Sequence, residues 1–102
     1  MATNGCAAPA GGVSLVGRDA TKEAIIEGVV RRDGRPVESA YVRLLDSGGE
    51  FTAEVPTDDS GVFRFFAGDG RWTLRTLAPR AAVTDRDVAA AVGSITEVTI
   101  DV

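Results

Sequence analysis

Val62-Phe63-Arg64-Phe65-Phe66-Ala67-Gly68-Asp69-Gly70-Arg71-Trp72-Thr73-Leu74-Arg75 is the stretch on which the fold turns. Side chains alternate with a period of two on either side of a Gly-Asp-Gly break, the pattern of β-strands with one buried face. Phe63 and Phe65 share one face, as do Trp72 and Leu74, while Arg64, Phe66, Thr73 and Arg75 fall on the other. The break itself reads as a tight hairpin.

The same grammar extends in both directions. Ala24 to Arg31 reads as a first strand, with Ile26, Gly28 and Val30 on one face, and Asp33-Gly34 after it is a hairpin signal. Pro36 opens a second strand, where its missing N–H does least harm. Ala40 to Asp46 sends Val42 and Leu44 one way and Tyr41, Arg43 and Leu45 the other. Ser47-Gly48-Gly49 breaks the chain before Phe51 to Val55, and Pro56 to Gly61 is a dense turn. Glu97 to Val102 alternates Val98, Ile100 and Val102 with Thr99 and Asp101. Thr84 to Val92 carries both a helix-like cap with a Gly stop and the requirement of a sandwich for one more strand. The extended reading is preferred and the helix stays open. About seven strands joined by turn chemistry predict an all-β fold, a small antiparallel Greek-key β-sandwich. Its expected core is Ile26, Val30, Val42, Leu44, Phe63, Phe65, Trp72, Leu74, Val98 and Ile100. Residues 1–21, rich in Gly, Ala, Ser and Thr, read as a flexible N-terminal arm with Val13 to Val16 available to pin it; residues 22–102 are the domain.

A chain of 102 residues, 44% hydrophobic, holds one domain and one core. Its net charge of −4, from 11 basic and 15 acidic residues, supplies no basic face for nucleic acid or an anionic membrane. Lys22 is the sole lysine, so basic charge is nearly all arginine, which favours planar bidentate contacts. Histidine is absent, which removes the usual general base and an imidazole metal ligand. The single cysteine, Cys6, excludes an internal disulfide and a thiolate zinc site within one chain. No signal-like n-region or h-region precedes it, so a cytoplasmic location is expected. Neither a cofactor nor a resident metal is expected, and a self-contained enzyme is the least favoured reading.

Three fragments in order, Gly28-Val29-Val30, Gly34 to Val37 leading to Ala40-Tyr41-Val42-Arg43-Leu44, and Thr57-Asp58-Asp59-Ser60-Gly61-Val62-Phe63, resemble the carboxypeptidase regulatory-like domain. That resemblance covers about residues 24 to 78 and implies a transthyretin-type seven-stranded sandwich. Gly28 permits close backbone approach, Ala40 and Val42 pack inward, and the Thr57 to Gly61 reversal delivers Phe63 to the core. Tyr41 to Asp46, Glu50 to Val55, Phe63 to Ala67 and Trp72 to Arg75, with Cys6-Ala7-Ala8-Pro9 and Gly11 or Gly12 ahead of them, resemble a narrower group. It is the actinobacterial SseC-type family of unknown function, encoded beside thiosulfate sulfurtransferases. Pro79 to Gly93 departs from it. The resemblance implies an accessory role in sulfur metabolism, with a thiosulfate sulfurtransferase as partner.

Three features are candidate sites. Cys6 is either a sulfur acceptor on a mobile arm or an inert thiol; no cation nearer than Arg18 is present along the chain to lower its pKa. Arg43, Arg64 and Arg75, with Tyr41 and Phe66, all alternate outward, and on neighbouring strands they would form one arginine-aromatic surface. Such a surface suits a protein interface or a sulfate-like anion; its plainer reading is a solvated face with arginines paired to Glu38, Glu54 or Asp46. Asp58, Asp59, Asp69, Asp85 and Asp87 lack calcium-loop spacing and read as turn formers. The leading functional reading is a non-catalytic accessory protein. The second is a structural or ligand-binding sandwich that acts by protein–protein contact or homo-oligomerisation.

Overall fold

The computed structural model describes residues 10–12 and 22–102, and within them no residue is α-helical. Eight strands follow one another: β1 (Ala24–Arg32), β2 (Arg35–Pro36), β3 (Tyr41–Leu45), β4 (Phe51–Pro56), β5 (Val62–Ala67), β6 (Gly70–Leu77), β7 (Thr84–Ala90) and β8 (Ile95–Asp101). In one sheet β1 is central, with β8 on one side and β5, continued by the short β2, on the other. The second sheet runs β4-β3-β6-β7. The two pack face to face, as the alternation predicts, and Thr84–Ala90 is extended rather than helical.

Local chemistry sets each turn. Asp33 and Gly34 have φ of 53° and 79°, the two left-handed residues a two-residue hairpin demands, and Arg32 pairs with Arg35 across it. The Asp46 carboxylate accepts from the N–H groups of Gly48 and Glu50, both at 2.9 Å, shaping the β3–β4 hairpin. Asp58 does the same for Ser60 and Val62, both at 2.9 Å. Asp58 is thus used on backbone N–H groups, as the turn reading anticipates, whereas Asp85 and Asp87 stand on β7 and accept from the side chains of Arg75 and Thr73.

Gly68-Asp69-Gly70 corrects one expectation. It does not close a hairpin: β5 pairs with β1, while β6 lies in the other sheet between β3 and β7. Both strands carry an apolar face, and laying them side by side would leave those faces needing cover from elsewhere. Setting them in opposing sheets buries Phe63 and Phe65 within the same cluster as Leu74. The β2–β3, β4–β5, β5–β6 and β7–β8 connections all change sheet. The pairing of β1 with β8 is parallel, from Ile25 opposite Ile95 to Arg31 opposite Asp101, whereas the other pairings are antiparallel.

Nine of the ten expected core residues are buried, and the tenth, Trp72, packs half-buried at the rim with its indole N–H donated to the Gly68 carbonyl at 3.0 Å. Each fully buried large side chain contributes roughly 1.5–3 kcal/mol. Gly28 lies where the sheet is tightest. A Cβ there would sit 2.5 Å from both the Phe63 ring and the Val98 carbonyl oxygen. Ala10 to Gly12 lie against β5: Gly11 donates its N–H to the Pro56 carbonyl at 2.8 Å, and a Cβ on Gly12 would meet the Arg64 carbonyl oxygen at 2.3 Å. Val13 to Val16 fall outside the described residues.

Two buried threonines differ in kind. Thr57 Oγ1 accepts from the Ala40 N–H at 3.0 Å and donates to the Val37 carbonyl at 2.6 Å, while Thr57 N–H donates to the Ala40 carbonyl at 2.8 Å. Thr76, equally buried on β6, has no hydrogen-bond partner for its hydroxyl among the described residues. Thr57→Val removes two buried bonds and is expected to destabilise by about 2–3 kcal/mol. Thr76→Val fills the same space without an orphaned hydroxyl, so it should be neutral or stabilise by about 1 kcal/mol. Urea unfolding of both variants checks this; equal losses would mean that packing, not hydrogen bonding, governs the two sites.

Candidate binding surfaces

Each sheet turns one face outward, and the five outward-facing candidates divide between the two. Tyr41 and Arg43 stand on β3 and Arg75 on β6 in the β4-β3-β6-β7 sheet, whereas Arg64 and Phe66 stand on β5 in the other. The expected single surface is thus two surfaces on opposite sides of the core. The reason is again the Gly68 to Gly70 connection, which carries the chain across the sandwich between Phe66 and Arg75.

On the first face the register places Glu54, Arg43, Arg75 and Asp85 in one row across four strands. The two arginines are direct neighbours and each turns to the carboxylate at its own edge. Arg43 Nε donates to Glu54 at 2.6 Å. Arg75 donates through Nε and Nη2 to the two oxygens of Asp85 at 2.9 and 3.0 Å, a bidentate pair. Glu54 is the partner expected for this face; Asp85 was expected only as a turn former, because the strand reading of 84–92 left its register unassigned. On either side of the row stand exposed apolar groups: Tyr41, 48% exposed, and Phe51, 62% exposed. Arginines flanked by exposed aromatics are the composition of interface centres.

On the second face Arg64 pairs with Glu27, Nε donating at 2.7 Å, and Glu97 follows in the same row. A groove of about 380 Å³ lies here, with Glu27, Val29, Val62, Arg64 and Glu97 among its lining. Phe66, opposite Ile25, is half-buried. Among the described residues no cluster of three or more carboxylates or thiols is arranged to hold a metal ion. Cys6 lies outside the described residues.

Comparison with known proteins follows the same lines. The family described as "Protein of unknown function (DUF1416)" matches residues 6–102, including the Pro79 to Gly93 stretch where the sequence resemblance fails. The chain belongs to that family. Two uncharacterized proteins of Mycobacterium tuberculosis, Rv0814c and Rv3118, are each 52% identical over 75 residues, which is 72% of this chain and 75% of theirs. Among solved structures the DUF1416 chain resembles the major pilin subunit of Bacillus cereus, with a TM-score of 0.67 and 14% identity over 78% of its own length and 28% of the pilin's. It also resembles the dioxygenase domain of a dioxygenase carbohydrate-binding protein fusion from Streptomyces, with a TM-score of 0.63 and 12% identity over 98% and 91% of the two chains. At such identities these likenesses show the fold, a β-sandwich, and nothing of activity. No helix among the described residues is long and apolar enough to cross a membrane.

The bidentate pair has a measurable signature. The hydrogen bonds from Arg75 hold the Asp85 carboxyl below its usual range, and Asp85 raises the Arg75 guanidinium still further. A depressed folded-state value means that the pair stabilises above the ordinary aspartate value of about 3.9 and is lost as pH falls through the lower folded value. A carboxyl-carbon NMR titration should place the Asp85 midpoint below that of a free aspartate, and Arg75→Gln should return it to the ordinary range. An unshifted wild-type midpoint would show that the pair does not persist in solution.

Proposed function

We propose that this DUF1416 chain is a non-catalytic binding module that works through the outer face bearing Tyr41, Arg43 and Arg75. The observation that carries the reading is the row Glu54-Arg43-Arg75-Asp85 between exposed Tyr41 and Phe51. Arg43 engages Glu54 through Nε, so the far side of its guanidinium faces outward, half-exposed. A partner carboxylate can engage that fork while an apolar group covers the flanking rings, which is how interface hot spots exclude water. The absence of histidine from the sequence removes the usual general base, which favours binding over catalysis.

The partner proposed is a thiosulfate sulfurtransferase, and the support for it is the resemblance of Tyr41 to Asp46, Glu50 to Val55, Phe63 to Ala67 and Trp72 to Arg75 to the SseC-type group. In this reading Cys6 accepts sulfur. Its thiolate attacks the terminal sulfur of a cysteine persulfide on the partner; a new S–S bond forms on Cys6, the partner's S–S bond breaks, and the partner thiolate leaves. The exchange is redox-neutral and needs no further reactant. Four residues lie between Cys6 and Gly11, a length of chain that spans at most about 18 Å. A cytoplasmic setting, where thiols stay reduced, suits this chemistry.

Two measurements test the proposal. A charge reversal at both arginines, Arg43→Glu with Arg75→Glu, should abolish co-elution with the sulfurtransferase, whereas Arg64→Glu on the opposite face should leave it intact. Loss in the Arg64 variant alone would move the docking surface to the other sheet, and self-association of the free chain lost with Arg43 and Arg75 would favour the homo-oligomer instead. After incubation with the sulfurtransferase and thiosulfate, intact mass under non-reducing conditions should show one added sulfur atom that is missing in Cys6→Ser. Its absence from the wild type would eliminate the carrier role and leave the docking role standing.

A further inference from the structure

At one end of the sandwich the β1–β2 turn approaches the loop after β6, and the Arg32 guanidinium donates to the Pro79 carbonyl to join them. Between the two segments opens a cleft of about 610 Å³, within the range that holds small ligands. Arg32, Arg35 and Arg80 all line it, and Pro36 and Pro79 supply apolar wall. Asp33 and Glu38 also border the cleft, yet among the described residues no ion pair or hydrogen bond engages the side chain of Arg35 or of Arg80. Arg43, Arg64 and Arg75 each hold a carboxylate, whereas the guanidinium groups of Arg35 and Arg80 at this cleft hold none, on a chain whose net charge is −4.

The backbone singles out the same place. Among the described residues the non-glycine positions with left-handed φ are Asp33 at 53°, Ser39 at 61° and Arg80 at 57°. Two of them line the cleft and the third adjoins Glu38. Asp33 takes this conformation in the β1–β2 hairpin, and Arg80 takes it in the turn closed by the Ala81 N–H on the Ala78 carbonyl at 3.3 Å, so two turns set the edges of the cleft. Here the Arg32–Pro79 contact fixes the loop that presents Arg80.

We propose that this cleft binds a small organic molecule through a tetrahedral oxyanion group, a phosphate or sulfate ester. Arg35 and Arg80 hold the oxyanion with charge-assisted hydrogen bonds, the organic body lies against Pro36 and Pro79, and Arg32 is a positioning residue that anchors the loop. The site lies at a sandwich end, separate from the Tyr41–Arg43–Arg75 face, so it stands whether or not that face docks a protein.

Phenyl phosphate and inorganic phosphate are the two probes, titrated into the full chain while amide shifts are followed by NMR. Phenyl phosphate should shift the amides of Gly34, Arg35, Arg80 and Ala81 saturably, and inorganic phosphate should shift the same amides with weaker affinity. Arg35→Gln and Arg80→Gln should each weaken phenyl phosphate binding by roughly tenfold, the loss of one charged contact. Arg71→Gln, at the opposite end of β6, should leave it unchanged. No saturable shift with phenyl phosphate, or equal binding in wild type and in both cleft variants, would overturn the site. Equal affinity for the two probes would overturn the organic ligand.

Discussion

Thr57 ties together the two connections that make this chain a sandwich rather than a single sheet. It sits just after β4, where the chain leaves one sheet for the other, and its hydroxyl and backbone reach Val37, Ser39 and Ala40, where the chain makes the opposite crossing. Ala40 and Thr57, one on each crossing, are buried where water cannot satisfy their backbone groups, so each N–H and C=O there needs a protein partner. The Thr57 hydroxyl meets that need for Ala40 and Val37, and the Thr57 backbone meets its own through Ala40 and Ser39. Asp58 continues the arrangement by closing the turn that starts β5, and Gly61 then hands its carbonyl to Val30 at 2.8 Å. The central strand β1 is thereby joined to the crossing itself.

With the interior settled this way, the outer faces are free to carry charge. Their arginines are not scattered: Arg43, Arg64 and Arg75 each find a carboxylate on an adjacent strand. Exposed pairs of this sort add little to stability, so their value lies in fixing the direction of each guanidinium. A fork held by one carboxylate presents its remaining donors in a set orientation, which lowers the entropy lost when another acceptor arrives. Arg35 and Arg80, at the cleft beside Pro79, hold no carboxylate.

The core was legible because burial imposes a period of two, and nine of ten residues chosen on that basis are buried. The turn at Asp33-Gly34 was legible because its conformation admits few residues. The partner of each strand was not. Gly68-Asp69-Gly70 permits a hairpin and a sheet change equally well, and only the whole set of apolar faces decides between them. That single ambiguity separated Arg64 and Phe66 from Tyr41, Arg43 and Arg75. Thr76 and Thr57 look alike in sequence, since hydrogen-bond satisfaction is a matter of three-dimensional neighbours. The Arg32, Arg35 and Arg80 cleft escaped for the same reason: it joins residues 45 positions apart through a loop contact that periodicity does not encode.

The parallel pairing of β1 with β8 bears on how the protein comes to exist in a cell. Ile25 meets Ile95, 70 positions further along the chain, and the register continues to Asp101. While the ribosome is still making the residues between, β1 has one flank bare, an apolar strand whose hydrogen-bonding groups any stray chain could adopt. Completion waits for β8 to clear the exit tunnel, and a chain interrupted before Ile95 would keep its central strand open to aggregation. Much of the hazard in producing this domain therefore lies in the interval before β8 is available to β1.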